Sequence, residues 1–109
     1  MTTFDDRERA FESKYAHDED LRFRVIARRN RLLGGWAARL MGLSDAEADA
    51  YAKDVIRADF EEAGDEDVIR KLLGDLTAAG VEIDDSKIRE ALAHKEAEAR
   101  RQIMEQIDL

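Results

Sequence analysis

The chain has 109 residues, enough for one small domain whose core can stand without staples. It holds no cysteine, which excludes disulfide frameworks, thiolate catalysis and cysteine-ligated zinc, and no proline, which in a chain rich in Ala, Glu, Arg and Leu points to helix throughout. With 26 acidic residues against 18 basic and a net charge of -8, it lacks the basic balance of a protein that coats nucleic acid.

Residues 1–20 carry seven acids and three bases. They contain no apolar h-region and are too acidic for a secretory or organellar leader, so the expected location is cytoplasmic. Phe4, Phe11 and Tyr15 recur at helical spacing on one stripe, with Asp5, Arg7, Arg9 and Glu12 off it, and Thr3 with Asp6 can cap its start. A charged stop, His17-Asp18-Glu19-Asp20, follows. A helix this short is marginal alone in water, so the segment is expected to be mobile by itself and ordered when docked. Two docks are open to it: a groove on the chain's own bundle, or a groove on a partner.

Residues 21–43 carry six arginines and no acid, which rules out a membrane span. Leu21, Val25, Leu32, Leu33, Trp36 and Leu40 fall in one apolar arc, with Gly42 as the stop. Arg24, Arg28 and Arg31 lie opposite it. Arg22 and Arg29 lie within it, where an arginine needs a paired anion or must reach the edge. Gly34 and Gly35 cost helix propensity that only close approach, a kink or a hinge would explain. The cationic segment either packs beside an acidic helix of the same fold or forms an anion site. In the second case Trp36 would stack a purine and arginine would hold phosphate.

Residues 44–86 carry fourteen acids and four bases. Ser44 and Glu47 match a capping box, opening a helix that buries Ala48, Tyr51, Ala52, Val55 and Ile56 and ends near Gly64. Asp65 or Asp67 caps a third helix, with Val68, Leu72, Leu76 and Ala79 inward and a stop at Gly80. Asp84 caps the last, stapled by Ile83 and Ile88, with Leu92, Ala99, Ile103 and Ile107 inward. Four amphipathic helices over 21–109 with short loops imply an all-α fold, a small four-helix bundle preceded by the segment 1–20. Glu90, His94 and Glu98 share a helix face, but without a second Glu-x-x-His helix they read as solvated charge, and no metal is expected. The acidic run 61–67 lacks the alternation of a calcium loop, and Gly34-Gly35 lacks the spacing and lysine of a phosphate loop. Nothing in the chain has the look of an active site, so no enzyme is expected.

The stretches FDDRERAFESKYAHDED, ARRNRLLGGWAA and YAKDVIRADFEEAGDEDVIRK give the chain an identity. It resembles the zeta subunit family of bacterial F-type ATP synthases, inhibitors of ATP hydrolysis by the catalytic head, and the likeness covers most of the chain to about Lys71. The resemblance implies a bundle with a mobile N-terminal inhibitory segment that becomes helical on wedging between alpha and beta subunits and reaching the gamma rotor. Carried over, the partner-binding residues are Phe4, Asp5, Arg7, Glu8, Phe11, Glu12, Lys14 and Tyr15. It also implies ADP or ATP as a regulatory ligand, for which Arg28, Arg29 and Trp36 are the candidate contacts, and a peripheral location at the inner membrane through the head, without direct insertion. Two other readings stand beside the inhibitor: a helical module that senses adenine nucleotide, and a helical adaptor for an unrelated assembly.

Overall fold

The computed structural model describes residues 3–61 and 65–107, with side chains of 6–58 and 65–107. These residues form five helices and no strand: α1 (Thr3–His17), α2 (Glu19–Leu40), α3 (Asp45–Glu61), α4 (Asp65–Ala78) and α5 (Asp85–Gln106). The all-α expectation holds. The count exceeds the expected four because the N-terminal segment is itself helical and lies against its own chain.

Local chemistry sets each described boundary. The break expected over His17–Asp20 is one residue, Asp18, whose N–H still donates to the Lys14 carbonyl of α1 (2.9 Å) while its Oδ1 accepts from Leu21 N of α2 (3.1 Å). At the other end of α2, Gly42 adopts φ +73°, Leu43 N donates to Ala38 O (3.0 Å) and Gly42 N to Arg39 O (3.1 Å), a Schellman closure. Gly80 repeats it for α4 at φ +82°, with Val81 N on Leu76 O (2.9 Å). Ser44 and Glu47 form the expected box: Glu47 N donates to Ser44 Oγ (3.2 Å) and Ser44 N to Glu47 Oε1 (3.0 Å). Asp84 Oδ1 accepts from Lys87 N (2.9 Å) at the start of α5. The stop expected at Gly64 lies outside the described residues.

Two apolar clusters fill the interior, separated by a polar layer. The first joins α2, α3, α4 and the start of α5 through Leu33, Ala37, Val55, Val68, Ile69, Leu72, Leu76 and Ile88, with Trp36, Tyr51 and Leu92 packed against it. Gly34 belongs here, since a Cβ on it would meet Ala52 Cα at 2.8 Å, so its bareness lets α2 and α3 touch. The second cluster joins α1, the first half of α2 and the end of α5 through Phe11, Leu21, Val25, Ala99, Ile103 and Met104. Between them on α2 sit the buried Arg29 and Asn30. Leu40 and Ala79, expected inward, are exposed because Leu40 is the last residue of α2 and Ala79 lies in the turn after α4, both beyond the last packed turn.

Candidate interaction site

The α1 helix docks through its aromatic stripe. Phe11 is only 2% exposed, sunk among Leu21, Val25, Ala99, Ile103 and Met104, and Tyr15 stacks beside it with ring centroids 6.1 Å apart. Polar contacts frame the stripe. Arg100 of α5 lies 4.3 Å from the Tyr15 ring centroid and pairs with Glu12 at 3.1 Å. Arg7 Nη2 donates to the carbonyl oxygens of Met104 and Ile107 (2.5 and 3.0 Å), satisfying the open C-terminal end of α5. Arg22, the arginine that fell inside the apolar arc, reaches the edge and donates to the Tyr15 and Ala16 carbonyls (2.9 and 3.0 Å), closing α1 in the same way. Glu8 and Glu12 line a groove with Ala97, Arg100, Arg101 and Met104, and Lys14 is exposed. The side chains of Phe4 and Asp5 lie outside the described residues.

Of the candidate partner-binding residues, then, Arg7, Glu8, Phe11, Glu12 and Tyr15 gather on one seam, and that seam is occupied by the chain's own α5. Arg100 was missed by sequence reasoning. Its segment balances at five acids and five bases, so charge did not flag it; its place next to the apolar Ala99 and Ile103 was the available signal.

Arg28, Arg29 and Trp36 take three different surroundings. Arg29 is 2% exposed, and its guanidinium pairs with Asp65 of α4 (3.0 Å) and Glu96 of α5 (3.2 Å) while Nε donates to Asn30 Oδ1 (3.1 Å). The anion this arginine required comes from two other helices. Trp36 is half-buried against the first cluster. Arg28 points outward, donating to Gln102 Oε1 (2.8 Å) in an open groove shared with Arg31, Leu32, Gly35 and Arg39.

The remaining polar groups tie helices together. Tyr51 donates to Asp75 (2.7 Å), with Lys71 on the same carboxylate (3.0 Å); burial, then the Asp75 bond, push its hydroxyl far above the ordinary tyrosine range. Arg89, which also pairs with Asp85, grips Glu66 through both terminal nitrogens (2.8 and 2.7 Å), and these hydrogen bonds hold the Glu66 carboxyl below its usual range. His94 is exposed, and among the described residues no three His, Asp or Glu side chains converge as a metal site. No helix among them is long and apolar enough to cross a membrane.

Among curated proteins no sequence matches the chain. A protein solved by solution NMR superposes with a TM-score of 0.70 at 44% identity, covering 80% of this chain and 99% of that one. Residues 1–102 match the family described as ATPase inhibitor subunit zeta. That match spans both the docked helix and the core beneath it, and the chain belongs to the ATPase inhibitor subunit zeta family.

Proposed function

We propose that this protein brakes ATP hydrolysis by an F-type ATP synthase by delivering α1 into an interface between alpha and beta subunits of the catalytic head, where its tip meets the gamma subunit. The observation that carries the reading is the seam between α1 and α5, an amphipathic helix held to its own chain by one aromatic stripe and a few rim contacts. Burying Phe11 contributes about 1.5–3 kcal/mol. A helix of this length is marginal on its own, so the docking is worth only a few kcal/mol and can be exchanged for a groove elsewhere. The same residues would serve both docks, Phe11 as the apolar anchor, Arg7 capping carbonyls, and Glu8, Glu12 and Tyr15 at the rim, with Lys14, exposed in the chain's own dock, left for the partner.

Inhibition is then competition between two grooves for one helix. The apparent affinity for the head equals the intrinsic affinity scaled by the fraction of molecules with α1 released. Interfaces of the head open and close as the rotor turns, and an inserted helix holds one of them in a single state, to the extent that it prefers that state. The site of action is at the cytoplasmic face, peripheral to the membrane. The test is ATP hydrolysis by a purified head with wild type and with a chain lacking residues 1–17. Phe11→Ala would loosen both docks at once and leave the apparent potency little changed, whereas removing α1 should abolish inhibition. Undiminished inhibition by the shortened chain would refute α1 as the brake.

A further inference from the structure

The outer face of α2 carries a feature that the fold does not use. Gly35 has nothing within 4 Å of where a Cβ would stand, so no helix of this chain requires it to be bare. Glycine there nevertheless carries about 1 kcal/mol of helix-propensity penalty. Its neighbours one turn away on the same ridge are Arg31 and Arg39, with Arg24 and Arg28 continuing the stripe over roughly 22 Å. Among the described residues Arg24 and Arg39 have no ion pair, Arg28 is bonded to the neutral Gln102, and Arg31 meets Asp49 only at 3.7 Å between two exposed side chains. Four cations are thus lined up, nearly uncompensated, in a molecule whose net charge is -8.

We infer that this stripe is a second docking surface, on which an acidic helix of the ATPase lies along α2. Gly35 is the notch: helix axes approach to about 8–10 Å only where side chains at the crossing are small. The fitting partner carries a large apolar residue for the notch above Leu32, and carboxylates about one turn to either side for Arg31 and Arg39. The groove around Gly35 holds no aromatic ring for base stacking, Phe23 lying beyond it beside Arg24. A nucleic acid or anionic bilayer would reach past the stripe onto the acidic remainder of the surface, whereas a single helix is confined to the stripe. Bundle and inhibitory helix would then hold the enzyme at two points, the one raising the effective concentration of the other. This inference rests on the inhibitor reading for the identity of its partner.

The test uses the full chain and a purified catalytic head, with association followed by interferometry over a range of salt. Gly35→Gln, which fills the notch with a better helix former, and the pair Arg31→Glu with Arg39→Glu should each weaken association tenfold or more. The charge pair should also flatten the salt dependence. Gly35→Gln should melt no lower than wild type, which separates docking from folding. Unchanged association of both variants overturns the docking surface while leaving α1 as the brake. If tripolyphosphate shifts the Gly35 amide and the arginine variants abolish that shift without weakening association, the stripe is a polyanion site and the docking surface falls. A wild-type chain that associates through the stripe yet leaves hydrolysis at full rate overturns the inhibitor reading and keeps the surface.

Discussion

Gly34 and Gly35 are adjacent and stand in opposite circumstances. A Cβ at Gly34 collides with Ala52 backbone at 2.8 Å, whereas one at Gly35 meets open space. Gly34→Ala should therefore destabilise the fold by about 1–3 kcal/mol through overpacking, and Gly35→Ala should stabilise it by about 1 kcal/mol through propensity. Thermal unfolding of the two variants reads the opposite signs directly. Arg29→Ala strips the counter-ion from Asp65 and Glu96 and the hydrogen-bond donor from the buried Asn30. Because Asp65 and Glu96 remain partly in contact with solvent, the loss should fall near the lower end of the roughly 3–5 kcal/mol seen when buried pairs are broken. Urea unfolding measures it. Glu47 makes a pH prediction. The Ser44 hydrogen bonds favour its ionised form and hold the carboxyl below the ordinary 4.5. A group whose folded pKa is lowered stabilises above its unfolded value, and the gain disappears as pH falls through the folded one. Glu47→Gln should lower stability slightly at neutral pH, change it little well below pH 4.5, and so flatten the fall between, as an acid series of melting curves will show.

Of the five helices, α1 is held by the fewest contacts, and those contacts separate its two possible docks. Arg100 belongs to α5, outside the inhibitory helix, so Arg100→Ala loosens the intramolecular dock alone. The ion pair with Glu12 is part-exposed and worth about 0.2–1 kcal/mol, and the ring contact with Tyr15 adds about 0.5–1 kcal/mol. Arg100→Ala should then raise inhibitory potency about three- to thirtyfold, while removal of residues 1–17 abolishes it; titrations of ATP hydrolysis with both variants check the pair of outcomes. Helix caps and stripes were legible in advance because they are local: Ser44 with Glu47, Asp84 with Lys87, and the glycines at 42 and 80 act within six residues. The dock chosen by α1 was not legible. An aromatic stripe specifies a groove, and grooves in the same chain and in a partner ask for the same residues.

At the level of the whole molecule the two clusters and the Arg29 layer between them predict unequal stability. The α3–α4 cluster is closed by interior contacts, whereas the other is capped by α1, so α1 should open without the rest. Native-state hydrogen exchange should find the amides around Phe11 opening at lower free energy than those around Leu72. A single opening energy for both would contradict two units. The need of Arg29 for an anion could be read from its place in the arc, but not that Asp65 and Glu96 answer it, because partners so distant in sequence meet only once the fold exists. The Arg7 hydrogen bonds to Met104 and Ile107 have one further consequence: they fasten the beginning of the chain to its end and close it into a ring about a hundred residues around. Opening the ring would carry the exposed Ser13 on α1 away from the exposed Glu105 on α5. A donor and acceptor dye at those positions would make the molecule its own gauge of readiness, with no enzyme present.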